Sequence, residues 1–126
     1  MLASLRAAGA FAQSSATGAL DARATRAMRR VASELIGARW STIAPLPAPP
    51  FGSDDLEFER SADTAGGAVT WSSRSQILLQ LVTGEADNGL DDNGNGSIDE
   101  RSIVLVHDVG LPSQRPATIA HGITDP

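Results

Sequence analysis

Six carboxylates crowd into the sixteen residues from Glu85 to Glu100, E-A-D-N-G-L-D-D-N-G-N-G-S-I-D-E, together with three Asn and three Gly. Carboxylates held that close repel one another unless a cation sits among them. Counted from Asp91, the order is D-x-N-x-N-G-S-I-D, which sets oxygen-bearing side chains at Asp91, Asn93, Asn95, Ser97 and Asp99. Gly96 takes the sixth position, where a calcium loop turns sharply, and Ile98 the eighth, from which it would anchor the loop to the core. Calcium is a hard cation that collects six to eight oxygens from carboxylates, amides, backbone carbonyls and water. The pattern therefore predicts a Ca²⁺ site on Asp87, Asp91, Asn93, Asn95, Ser97, Asp99 and Glu100.

The twelfth position, a bidentate Glu in a helix–loop–helix site, is Ser102 here. Asp99 and Glu100 stand nearest to that role, and Asp87 offers a further carboxylate from the loop entrance. Apolar runs on either side, Gln76 to Val82 and Ser102 to Val106, read as strands. The expectation is thus a calcium-bound hairpin loop, not a pair of sensor helices. Neutral Asn93 and Asn95 lower the site charge, which suits an affinity of about 10⁻⁵ to 10⁻³ M. The plain alternative is a metal-free hairpin on Asn-Gly turns, but such a turn needs two residues and no acidic insert.

The elements that must position this loop follow from periodicity. Residues 1–42 form the N-terminal helix: Leu20, Ala24, Ala27, Met28, Val31 and Leu35 recur on one face, with Arg23, Arg26, Arg29 and Arg30 beside them. Residues 43–53, with Pro45, Pro47, Pro49 and Pro50, form an extended crossover. Residues 54–126 form the β-sheet head, with strands near Leu56 to Arg60, Ala68 to Trp71, Gln76 to Val82, Ser102 to Val106 and Ala117 to Ile123. The predicted fold class is α+β, a long amphipathic helix packed on an antiparallel meander. Trp40 and Trp71 read as packing residues, Trp40 closing the helix onto the sheet. A further strand is expected after Ile123.

Composition narrows the function. The 126 residues amount to one domain with a thin aliphatic core, since aromatics make up 4% and Tyr is absent. Without Cys there is no disulfide, thiolate nucleophile or zinc–thiolate site. Net charge is −5, divided as +4 over residues 1–50 (six Arg, two acids) and −9 over residues 51–126 (four Arg, thirteen acids). Such a balance argues against nucleic acid as the main target and favours electrostatic pairing between copies or with partners. No run reaches the length of a membrane span. Ala10-Phe11-Ala12 imitates a cleavage site, but Arg6 breaks the apolar stretch before it, so it reads as helix. His107 and His121 are the side chains that titrate near neutrality, and no nucleophile elbow, H-E-x-x-H or phosphate loop accompanies them. No enzyme is expected.

An arginine-bearing helix, a Pro-rich crossover, an antiparallel head and the N-G-L-D-D-N-G-N-G-S-I-D-E loop together resemble the minor pseudopilins of type II secretion and type IV pilus systems, particularly prepilin-type proteins with a D-N-G-x-D-D-N-G-N-G-x-I-D-E insert. The likeness runs from the Ala24-to-Leu35 helix to Asp125 and is sharpest over Asp87 to Glu100. It implies a pilin-like fold, a periplasmic head stabilised by Ca²⁺ through Asp87, Asp91, Asn93, Asn95, Asp99 and Glu100, and partner pseudopilin or pilin subunits bound through the N-terminal helix. The family's basic leader, Gly-Phe processing site and apolar segment have no counterpart in this sequence. That leaves three readings: a soluble portion whose membrane anchor lies upstream, a misassigned start, or a copy that is not inserted. Outside the resemblance stands a calcium-dependent extracellular interaction or adhesion module, related in logic to dockerin or thrombospondin-type repeats. Such modules repeat the D-x-N-x-N-G pattern, which occurs once here.

Overall fold

The computed structural model describes residues 2–45, 50 and 52–124, with helical side chains described from Gln13 onward. Residues 46–49 and 51 of the predicted Pro-rich crossover lie outside the described residues. Helix α1 spans Leu2–Ile36. Ala, Leu and Arg dominate it, all strong helix formers, and they outweigh Gly9 and Gly18 at about 1 kcal/mol each. The helix stops at Gly37, whose carbonyl accepts the Ser61 N–H at 2.9 Å. A Cβ at that position would lie 3.3 Å from Ser61 Oγ, so the close approach favours glycine.

Six strands follow: β1 (Asp55–Phe58), β2 (Ser61–Ala65), β3 (Ala68–Trp71), β4 (Ser75–Leu81), β5 (Arg101–His107) and β6 (Arg115–Ile123). The fold is α+β, as predicted, but the sheet is not the simple meander expected. Strands β1, β4, β5 and β6 form one antiparallel sheet in that order, and β2 and β3 form a separate hairpin. The chain leaves the main sheet after Phe58 and returns at Ser75, and these two residues are register partners. The turn between β2 and β3 has φ of 63° at Gly66 and 82° at Gly67, the left-handed pair that a tight hairpin uses.

The core gathers on β5 and its neighbours. Phe58 and Leu105 are fully buried, joined by Ala27, Val104 and Val106. Val104, Leu105 and Val106 are consecutive and all buried, so β5 is covered on both faces there and reads as an unbroken apolar run. The helix contributes less than its stripe suggests. Val31 and Leu35 are half-buried, whereas Leu20 and Met28 are exposed. What pins it is polar: buried Glu34 pairs with Arg30 at 2.9 Å and with Arg60 from the segment before β2.

Both tryptophans contradict the packing role assigned to them. Trp40 is 75% exposed and Trp71 39%. The helix ends four residues before Trp40, which sits in a 3₁₀ turn (Trp40–Thr42) with none of its residues buried. Trp71 lies at the end of the outlying hairpin, with the Arg39 guanidinium 5.3 Å over its ring.

Candidate functional site

The acidic stretch joins β4 to β5, whose ladder runs from Gln76↔Val106 to Leu81↔Arg101. The Val82 N–H bonds the Glu100 carbonyl at 2.9 Å and closes the base of the loop. Above this closure the loop contains no regular element. Its order comes instead from carboxylates and amides accepting backbone N–H groups, the Asx-type bonding that Asp and Asn favour.

Asp91 organises the middle of the loop. Its Oδ1 accepts from the Gly94 and Asn95 N–H groups at 2.6 and 3.1 Å, and its Oδ2 from Gly96 at 2.8 Å. That wrap requires Gly96 at φ 93°, the sharp turn expected at the sixth position. Asn93 Oδ1 accepts the Asn95 N–H, and Asn95 Oδ1 accepts the Ser97 N–H. The amide ends of both Asn point to one place. Asn93 Nδ2 donates to Glu100 Oε2 at 3.2 Å, and Asn95 Nδ2 to Glu100 Oε1 and Oε2 at 3.0 and 2.9 Å. Glu100 is buried, 7% exposed.

Asp91, Asn93, Asn95 and Glu100 are therefore drawn together, and the other predicted ligands do different work. Asp99, at φ 48°, accepts from Asn88 and Gly89 and ties the two ends of the loop. Asp87 pairs with Arg101 at 3.0 Å. Ser97 takes part through its backbone N–H. Ile98, expected to anchor the loop to the core, is 51% exposed and does not. The clamp by Asp99 and the closure at Val82 hold the loop in its place.

One participant escaped the sequence reading. Glu85 Oε1 accepts the Asn93 N–H at 3.0 Å, while its Oε2 is buried without a hydrogen-bond partner. A buried, unpartnered carboxylate oxygen costs about 1–3 kcal/mol or more, and a water or ion is the ordinary remedy. Glu85 thus shares Asn93 with Glu100. Its signal in the sequence was its place at the head of the acidic run.

Among the described residues, no three His, Cys, Asp or Glu side chains are gathered as a ready metal centre. Oxygen donors in this part of the loop are Glu85 Oε2, the free lone pairs of Asp91 and the Glu100 carboxylate, linked through Asn93 and Asn95, whose amides present oxygen when turned about χ2. That donor set is hard and oxygen-only, the chemistry of calcium and not of zinc or copper.

The histidines stand apart. His107 Nδ1 lies 3.1 Å from buried Ser75 Oγ, and His121 Nδ1 lies 3.4 Å from Ser102 Oγ. They occupy opposite ends of the β5–β6 ladder, one paired with Arg115 and the other beside Ile123. Asp108, which follows β5, has its carboxyl held below the ordinary range. The Ser73 hydroxyl contributes most, then Ser113, with Arg115 and His107 adding positive charge and burial opposing.

No family model matches the chain, and neither a curated protein nor a solved structure matches it.

Proposed function

We propose that the chain is a structural, non-enzymatic subunit of a pseudopilus or type IV pilus-like secretion filament in the cell envelope, with a head that one Ca²⁺ stabilises. The observation that carries the calcium half is the buried, unpartnered Glu85 Oε2, beside an Asn93 whose amide already reaches buried Glu100. In this reading Glu85, Asp91, Asn93, Asn95 and Glu100 hold the ion, and Asp87 and Asp99 brace the loop. Bound calcium supplies charge neutralisation and a link between the entry and the exit of the loop. Support for the filament half is the 35-residue helix, exposed from Gln13 to Arg26 and joined to the head over its C-terminal part. A helix so little covered is stable when another helix covers it. No helix among the described residues is long and apolar enough to cross a membrane, so the reading takes its anchor from upstream sequence.

Thermal or urea unfolding in chelator and in Ca²⁺ tests the calcium half. At one hundred times its dissociation constant, calcium should add about 2.7 kcal/mol. Glu85→Gln and Asp91→Ala should each lose that increment while remaining folded in chelator. An undiminished increment in both variants removes the ligand assignment. In-frame upstream codons test the filament half: a prepilin leader with its Gly-Phe processing site supports it, and a leader of another kind sinks it.

A further inference from the structure

The two edges of the main sheet are treated differently. Edge strand β1 is four residues long, and Ala44 caps it through two backbone hydrogen bonds with Glu57, each 2.9 Å. Edge strand β6 runs for nine residues, and among the described residues no backbone hydrogen bond reaches its outer side. Pro116, lacking an N–H, sits where an edge tolerates it. An open strand of this length is a template for another strand unless the chain blunts it.

The lining of this edge is selective. A cleft of about 460 Å³ lies between α1 and β6, walled by Arg23, Arg26, Ile119, Ala120 and His121. A second, of about 410 Å³, continues it past Arg26 and Arg30 to Ala117 and Thr118 and reaches inward to Leu105 of β5. As helix numbers rise strand numbers fall, so helix and strand run in opposite directions along one seam. Arg30 is committed to Glu34, whereas Arg23 and Arg26 are exposed and form no ion pair among the described residues. Unpaired guanidiniums beside a free strand edge present backbone acceptors and donors together with positive charge.

We propose that the outer edge of β6 is a docking site for an extended acidic segment of a partner protein, which adds as a fifth strand and sets its carboxylates against Arg23 and Arg26. Main-chain bonds to β6 give the affinity, and the guanidiniums select the side chains. Spacing permits this. Arg23 and Arg26 are about 4.5 Å apart along the helix axis, and alternate side chains of a strand about 6.8 Å. A long flexible arginine spans that difference, and its planar fork grips a carboxylate through two N–H groups. The inference does not depend on calcium, because neither β6 nor Arg23 and Arg26 belongs to the acidic loop.

Isotope-labelled protein titrated with capped nine-residue peptides tests it. A peptide alternating Thr and Glu should shift the amide signals of residues 115–123 and the Nε–H signals of Arg23 and Arg26. Replacing Glu with Gln, or adding salt, should weaken binding by about tenfold or more. N-methylation of alternate peptide bonds should abolish it. The double change Arg23→Glu with Arg26→Glu, at exposed helical sites, should lose the acidic peptide and gain one alternating Thr and Lys, with an unchanged melting temperature. Equal binding of the N-methylated peptide would reduce the site to bare charge attraction and overturn strand addition. Shifts centred on Arg74 or Arg115, no binding at all, or a second copy of the chain already seated on β6 would overturn it equally.

Discussion

The β2–β3 hairpin and the acidic loop are both excursions from the main sheet, and they are ordered in opposite ways. The hairpin has a ladder from Ser61↔Trp71 to Ala65↔Ala68, with one register shift between Ser61 and Asp63, yet every residue from 61 to 71 is exposed. The loop lacks a ladder above Val82, yet it buries Glu100 and satisfies its backbone through Asp91, Asp99, Asn93 and Asn95. Regularity and stability are thus separate properties here. Backbone pairing in water exchanges one set of hydrogen bonds for another with little net gain, whereas a buried charged acceptor is costly to remove. The loop, irregular as it is, should hold more of the head's stability than the hairpin does.

The largest expected effect lies at Glu100. Glu100→Ala removes the acceptor of the Asn93 and Asn95 amides and should cost about 2 kcal/mol in chelator, by urea unfolding, since bonds to a charged group are the stronger kind. The calcium increment should vanish with it. A loss under about 0.5 kcal/mol, the range of ordinary surface changes, would mean that the loop is organised by its turns alone.

A smaller instance of the same device closes the turn after β5. Asp108, like Asp99, is a left-handed non-glycine residue, φ 56°, whose carboxylate clasps its surroundings, here the Ser73 hydroxyl. Its carboxyl is held below the ordinary 3.8 by the hydroxyls of Ser73 and Ser113 and by the charges of Arg115 and His107. A carboxyl lowered in the folded state adds stability above its unfolded value, and the gain disappears as pH falls through the folded value. Asp108→Asn keeps a residue that tolerates the left-handed backbone and removes the titration. The stability difference between the native chain and this variant should be constant near neutral pH and shrink below about pH 4. A difference that stays flat to pH 2 would assign the clasp to shape, not charge.

Much of this arrangement was legible beforehand. Spacing alone placed Asp91, Asn93, Asn95 and the turn at Gly96, because a loop that wraps a carboxylate needs glycine at a fixed distance from it. The apolar run of β5 announced a strand. Other features depend on contacts distant in sequence. Glu85 became a site residue only when the Val82–Glu100 closure brought the two ends of the loop together. Ile98 and Trp40 misled because transfer energy favours their burial, and nothing local reveals that the chain bends them outward. Strand β2, and the separation of the β2–β3 pair from the main sheet, were missed for a related reason: short segments state their own period but not their partner. Glu34 gave no apolar signal, although it joins the helix to the head.

The smallest effect belongs to the hairpin, and it is the most direct way to break the comparison. Val69 pairs with Thr64 in the ladder and is 46% exposed. Val69→Ala gives up β-propensity and little burial, so its cost should stay within about 0.5 kcal/mol. Amide exchange supplies the sharper measurement. The cross-strand amides at Thr64 and Val69 should exchange by local opening, far faster than those of Val104 and Leu105, because no buried surface resists their separation. If Val69→Ala costs more than about 1 kcal/mol, or if the hairpin amides exchange as slowly as those of β5, the ladder carries stability by itself. The carboxylate-ordered loop would then lose its privileged place in the head. If instead the hairpin opens freely while the loop at Val82 and Asn95 stays protected in chelator, side-chain acceptors alone hold this connection. Calcium would then add to a loop already formed.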